Sequence, residues 1–367
     1  MLFLLYESLR EQVSALNVLR YVPFRVIAAM VTSLLITWML YPWLIRSLRV
    51  KQIGETIRTD GPAGHKVKGG TPTMGGALMV AAIFVSVALW GDVQSPYVGL
   101  TCITMLAFAV IGFIDDRMKL MRKKGMRGKV KLLCQFAVAL AVAALFIHVV
   151  APVFGYSTRL YFPFLRIDRY WLDLDPWLYA VFAAVVIVGT SNALNLSDGL
   201  DGLAILPTIS GSAVYLLLAY LSGATLGGFS LSRYLLIPSV PGIGEMSVVA
   251  SAVIGAGLGF LWYNSYPASV FMGDVGSLSL GAVLGCLSVF TKNELLSVVI
   301  LGIFVVEAVS VITQTVSFKL TGRRVFRMAP LHHHYELQGV PEPKIIVRFW
   351  IISMLLGLVA LASVKVR

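Results

Sequence analysis

Long apolar runs separated by short polar segments make up this chain. Runs of about twenty apolar residues, the length that crosses a bilayer, fall at 24–45, 73–90, 96–114, 131–150, 176–192, 202–221, 245–263, 275–291, 295–319 and 345–364. The pattern predicts an all-α polytopic membrane protein of about ten transmembrane helices. Two runs open with helix-start chemistry: Ser95-Pro96 and Asp175-Pro176 each put a capping side chain before a proline at the first helical position. Gly255 and Gly259, and again Gly281 and Gly285, offer small faces on which helices pack closely. Ahead of the first run, Leu2, Leu5, Leu9, Val13 and Leu16 recur at helical spacing among Glu7, Arg10, Glu11 and Arg20. The basic start and cleavage site of a signal peptide are missing there, so 1–22 is expected to be an amphipathic segment lying on the membrane. No internal repeat is visible.

Composition sharpens this picture by exclusion. Of 367 residues, 58% are apolar and 13% charged, against about 25% charged in a soluble protein. A soluble multi-domain enzyme, a disordered chain and a nucleic-acid-binding domain are all disfavoured. Cys102, Cys134 and Cys286 lie within or at the start of apolar runs and form no CxxC pair, so neither a disulfide framework nor a zinc site follows. The whole chain, 1–367, reads as one integral-membrane domain.

The net charge of +12 adds orientation. The loops after the first, third and ninth runs hold Arg46, Arg49, Lys51, Arg58, Lys66 and Lys68; Arg117, Lys119, Arg122, Lys123, Lys124, Arg127, Lys129 and Lys131; and Lys319, Arg323, Arg324, Arg327 and Lys344. Together these are 19 of the 30 basic residues. With ten spans the three loops share one side, which the positive-inside rule makes cytoplasmic, and both termini are then periplasmic. The loop at 151–175 balances Arg159, Arg166 and Arg169 against Asp168, Asp173 and Asp175, and is expected to form a short periplasmic hairpin.

That topology gathers five polar motifs on the cytoplasmic face: Lys66–Gly76, Asp115-Asp116, Asn192–Gly202, Asn264–Asp274 and Ala329–Glu336. Their convergence argues for an active site there. Asp115 and Asp116 close an apolar run just before the basic loop. They are either a solvated helix-end pair or a metal or phosphate site, and neighbours about 100° apart on a helix face different partners. Asp198 and Asp201, three apart, share a face if their turn starts a helix, or else cap it. Asp274, between Gly273 and Gly276, is either a ligand approached closely by backbone or a helix cap. Asn264 is an amide ligand or a C-cap, and Phe271 stacks on a base or anchors at the interface. Hard oxygen donors favour magnesium over zinc, and basic loops beside them suit a diphosphate and a lipid phosphate. Adjacent His332, His333 and His334 cannot all bind one ion; bonding to a phosphate or handling a proton suits them better. Glu307 lies mid-span with Gln314 farther along the same face, an intramembrane carboxylate that is either functional or held in a buried hydrogen bond. His148 is read as structural.

The motifs Lys68-Gly-Gly-Thr-Pro-Thr-Met-Gly-Gly76, Asp115-Asp116, Asn195-Leu-Ser-Asp-Gly-Leu-Asp-Gly202, Phe271-Met-Gly-Asp274 and Pro330-Leu-His-His-His-Tyr-Glu336 occur in this order. With them the chain resembles, nearly end to end, the phospho-N-acetylmuramoyl-pentapeptide-transferases among the polyprenyl-phosphate N-acetylhexosamine-1-phosphate transferases. The resemblance implies a magnesium-dependent (Mg2+) phosphoglycosyl transferase of peptidoglycan (cell wall) synthesis in the bacterial inner membrane. It implies transfer of phospho-N-acetylmuramoyl-pentapeptide from its uridine-diphosphate carrier (UDP-MurNAc-pentapeptide) to undecaprenyl phosphate, giving lipid I and uridine monophosphate (UMP). It further implies Asp274 as metal ligand with Asn264 beside it, Asp115 as base or as the carboxylate that keeps the lipid phosphate deprotonated, and Asp116 positioning metal or phosphate. Asp198 and Asp201, with Lys68 and Phe271, would line the nucleoside pocket, Lys119 and Lys131 would hold phosphates, Thr73 and Asn195 would also bind substrate, and His332, His333 and His334 would close over the site, His332 among the catalytic groups. A homodimer among membrane lipids, with no nucleic-acid partner, is the expected state. The runner-up is an N-acetylglucosamine-1-phosphate transferase of the same superfamily. A transporter is disfavoured because the acidic motifs sit at the interface, and a phosphatidyl transferase because Asp-Gly-x-x-Ala-Arg is absent.

Overall fold

The computed structural model describes residues 1–3, 6, 14–51, 70–226 and 228–364. Residues 4–5 and 7–13 of the 1–22 segment, and Lys68, lie outside the described residues; Ser14–Arg20 forms a 3-10 helix.

Among the described residues ten long apolar helices run in sequence: α1 (Val22–Val50), α2 (Gly76–Trp90), α3 (Pro96–Arg122), α4 (Gly128–Leu145, continued through a π turn to Phe154), α5 (Pro176–Ser197), α6 (Ile205–Gly223), α7 (Met246–Asn264), α8 (Gly273–Phe290), α9 (Gly302–Thr321) and α10 (Glu342–Ala362). Among the described residues nine helices are long and apolar enough to cross a membrane, and α2 is apolar but has only 15 residues. The chain is therefore a multi-pass membrane protein. Fifteen residues rise about 22 Å, less than the roughly 30 Å hydrocarbon core. The segment before α2 is tied to its neighbours: Pro72 accepts a backbone bond from Phe271 (2.8 Å), and Tyr41 of α1 donates to the Gly75 carbonyl (2.9 Å).

The helix α8 is the spine of the bundle, with every residue from Asp274 to Phe290 buried. Its glycines make that possible. A Cβ on Gly281 or Gly285 would lie 2.6 Å from the backbone of Ser191 or Ile187 in α5, and one on Gly276 would lie 2.7 Å from Gly76 of α2. The second glycine pair seats α7 on α1: a Cβ on Gly255 would lie 2.0 Å from the Met30 carbonyl, and one on Gly259 2.0 Å from the Thr37 hydroxyl. Both small faces read from the sequence are thus helix contacts.

Three local expectations change. Asp175 caps α5 through its side chain, accepting from Trp177 at 2.9 Å, but Ser95 stands at the α3 N-cap with no side-chain cap bond. The third run does not end at the aspartates; α3 continues to Arg122, because Arg117, Met118, Lys119 and Leu120 are good helix formers once outside the bilayer. The ninth run is broken, with a short turn at Ser297–Ile300 before α9 begins at Gly302.

The end of the bundle opposite the motifs is tied by buried charge. Arg25 forms a two-pronged bond to Glu245, both at 2.6 Å. Lys292 pairs with Glu294 at 3.0 Å among Tyr156 and Tyr179, and burial pushes the Lys292 ammonium below its ordinary pKa. Beside them the strands β1 (Arg159–Tyr161) and β2 (Trp171–Asp173) pair antiparallel, with Arg159 opposite Asp173. All three cysteines are free thiols.

Candidate active site

The longer α3 changes what surrounds its carboxylates. Asp115 and Asp116 sit on a continuous helix, so Lys119 stands one turn on and reaches both, at 2.9 and 3.4 Å. The start of α8 brings Asp274 against them, and the ligand oxygens of the three aspartates lie within 4.8 Å of one another. Lys119 also touches Asp274 at 2.9 Å. Lys131, on the first turn of α4, contacts Asp274 closely and Asp115 at 3.3 Å. Three carboxylates and two ammonium groups thus share one cluster. The carboxylates are almost fully buried while the Lys119 side chain is 42% exposed, which leaves the lysine at the rim.

Each aspartate is held differently. Asp115 accepts the backbone N–H of Met126 at 2.5 Å. A Cβ on Gly125 would lie 2.6 Å from its Oδ1, so the α3–α4 turn needs a glycine to close over the carboxylate. Asp116 accepts the Val275 N–H at 3.2 Å, at the opening of α8, where the helix dipole favours a carboxylate. Asp274 accepts from the Asn195 amide at 3.0 Å, and that amide also donates to Ser277 at 2.8 Å.

The Asp198–Asp201 turn lies beside this cluster, tied to other loops. Asp201 accepts the Ala268 N–H at 2.9 Å, while its own N–H donates to Glu342 at 3.0 Å. Asn264 uses both ends of its amide as a tie: its oxygen accepts from Gly202 and its nitrogen donates to the Val270 carbonyl, both at 2.9 Å. Asp198 ends α5 half-buried. Thr73 and Phe271 lie on the paired segments at 70–75 and 265–272, each partly exposed.

The histidines occupy a short helix, Leu331–Glu336, and point to different partners. His332 is buried, with Glu307 at 3.2 Å from its Nδ1. His333 pairs with Glu336 at 2.6 Å, and His334 accepts the Arg327 N–H at 3.1 Å. They do not converge on an ion. Among the described residues, the three aspartates form the one group of His, Cys, Asp and Glu able to hold one. Three carboxylates against two ammonium groups leave an excess of negative charge, and their oxygen donors fit a hard divalent ion such as magnesium.

Four of the five motifs therefore meet at one end of the bundle in their described parts, and the fifth does so through Thr71–Gly76. Two contributors lie outside every motif of the sequence: Ser277, which takes the Asn195 amide together with Asp274, and Glu342, which accepts the Asp201 N–H.

Comparison with known proteins gives the family. The family model described as glycosyl transferase family 4 matches residues 97–292. A curated phospho-N-acetylmuramoyl-pentapeptide-transferase of Sorangium cellulosum is 54% identical over 360 residues, covering 96% of each chain. The chain belongs to this family. Proteins of the same name from Citrifermentans bemidjiense and Syntrophus aciditrophicus are each 49% identical over the full length of both chains.

Proposed function

We propose that the chain transfers phospho-N-acetylmuramoyl-pentapeptide from its uridine-diphosphate carrier to undecaprenyl phosphate, in the bacterial inner membrane with the site facing the cytoplasm. An oxygen of the lipid phosphate bonds to the sugar-bearing phosphorus, the bond from that phosphorus to the bridging oxygen breaks, and uridine monophosphate leaves with the electron pair. The observation that carries this reading is the buried trio Asp115, Asp116 and Asp274 matched to Lys119 and Lys131. Phosphoryl transfer asks mainly for positioning and charge neutralisation, which such a cluster provides.

Magnesium held by Asp274 with Asp115 or Asp116 would neutralise the diphosphate and the leaving phosphate. Asp115 keeps the lipid phosphate deprotonated, and Lys119, at the rim, takes phosphate oxygens as substrates enter. Lys131 and Asn195 hold Asp274 in place. Asn264 enters this proposal as the tie between the Gly202 and Val270 loops, a position that shapes the pocket around the proposed ion. Asp198, Asp201, Thr73, Phe271 and Lys68 belong to the proposed donor pocket, with His332, His333 and His334 beside it. A second copy of the chain is the proposed partner in the membrane.

The test is purified chain in detergent with magnesium, undecaprenyl phosphate and the muramoyl-pentapeptide donor, scored by uridine monophosphate release. Release with uridine-diphospho-N-acetylglucosamine alone would transfer the assignment to the runner-up. A single displacement inverts configuration at the transferred phosphorus; retention would require an aspartyl-phosphate step instead.

A further inference from the structure

Glu307 is the one carboxylate on α9, fully buried on a helix that crosses the membrane. Such a group is retained only where something needs it. Its two oxygens accept the N–H groups of Leu331 (2.7 Å) and His332 (3.2 Å), the first turn of the histidine helix. Seven residues on, Gln314 accepts the N–H groups of Val325 and Phe326, both at 3.0 Å, and donates to the Phe326 carbonyl at 3.1 Å. One helix thus grips the 325–332 segment at both ends.

The grip also sets a ring. Glu307 Oε1 lies 3.2 Å from His332 Nδ1, within ion-pair range but outside hydrogen-bond geometry in this conformation. The imidazole is enclosed, and among the described residues neither ring nitrogen has a hydrogen-bond partner. Nε2 faces Gly199 in the Asp198–Asp201 turn, where a Cβ would stand 2.3 Å from it. A buried imidazole with a carboxylate at one nitrogen, and the other nitrogen aimed at a glycine beside the site, is built for a ligand.

We propose that Glu307 is a positioning residue for the transfer reaction, acting through His332: it holds the proton on Nδ1 and so presents Nε2 to a phosphate oxygen of the substrate at the Asp198–Asp201 turn. The proposal rests on the transferase reading above. A carboxylate beside Nδ1 selects that tautomer and stabilises the imidazolium when Nε2 is protonated. Glu307→Gln preserves shape but offers an N–H to Nδ1, which favours the opposite tautomer. Gly199 completes the device: with no side chain at that position, only backbone lies over Nε2.

A double-mutant cycle tests this, run with purified wild-type chain, E307Q, E307D, H332A and E307Q/H332A. Each variant is checked for folding by its melting temperature. The expected result is a fall of about tenfold or more in kcat for E307Q, with donor KM within about twofold, partial recovery in E307D, and almost no further loss when E307Q is added to H332A. The same fold-loss in both backgrounds would reduce Glu307 to a helix cap and overturn the proposal, as would wild-type kcat in E307Q or in H332A. If E307Q does not fold, Gly199→Ala decides: it must lower kcat in the wild-type background and add nothing in H332A. The cycle uses whichever sugar donor the wild-type chain accepts, so a wrong donor assignment shows in the wild-type assay and leaves the cycle intact.

Discussion

Gly273 and Asp116 touch where α8 begins: a Cβ on Gly273 would lie 2.7 Å from Asp116 Oδ2. Gly273 also has φ of +72°, a conformation side chains rarely adopt. The glycine lets the α3 carboxylate reach the Val275 N–H in the first turn of α8, and so brings Asp274 beside Asp115 and Asp116.

Gly273→Ala is therefore expected to pry the two helices apart at the site. The left-handed backbone alone disfavours alanine by about 1 kcal/mol, and the clash with Asp116 adds to it. Uridine monophosphate release should fall at least about tenfold, which is about 1.4 kcal/mol of lost transition-state binding. Wild-type turnover in this variant would show that Asp116 does not depend on the contact.

Asp274→Asn removes a charge from the cluster while keeping its shape. Turnover is expected to fall by about a hundredfold or more. An independent readout is stability: an ion that binds the folded state raises its melting temperature, and that magnesium-dependent rise should disappear in the variant. A preserved rise would move the ion away from Asp274.

Much of this arrangement was legible in the sequence because burial in a membrane leaves a one-dimensional signal. The ten apolar runs match ten helices, and Gly255, Gly259, Gly281 and Gly285 mark real contacts because only small residues allow such close packing. The acidic motifs were visible since charge at the edge of an apolar run stands out. What could not be read was how polar side chains pair across helices. Lys119 looked like one cation of a basic loop, yet a continuing helix turns it onto three aspartates. Asn264 read as a ligand or cap, and it ties two loops. Glu307 gave a carboxylate without a partner, because His332 lies 25 residues away and meets it only through the return of the chain.

Lys119→Met leaves the aspartates facing one ammonium, that of Lys131. Like charges brought this close repel, so the variant should melt earlier than wild type without magnesium. Added magnesium supplies the missing positive charge, so its stabilising effect should exceed that in wild type. Turnover should still be low, because no ammonium remains at the rim to take phosphate oxygens. A magnesium response equal to that of wild type would show that Lys119 and the ion do not share these oxygens.

The far end of the bundle provides a contrast. Lys292 and Glu294 are about 2% exposed, and Tyr179 donates to Glu294 while accepting from Lys292 at 3.1 Å. Glu294→Ala leaves a buried ammonium without its counter-ion, a change that typically destabilises by about 3–5 kcal/mol. The lowered pKa of Lys292 sets the pH dependence. Its charged form is disfavoured by burial, so the variant should regain stability as pH rises and the lysine sheds its proton, with the steepest gain below the ordinary lysine range. Replacing the lysine as well, in Lys292→Met with Glu294→Ala, should restore part of the loss and abolish that pH dependence. Melting temperatures across pH measure both effects. Turnover per folded molecule should stay close to wild type in each variant, because the network lies at the opposite end of the bundle from the aspartates; a selective loss of kcat with unchanged melting would overturn the structural assignment.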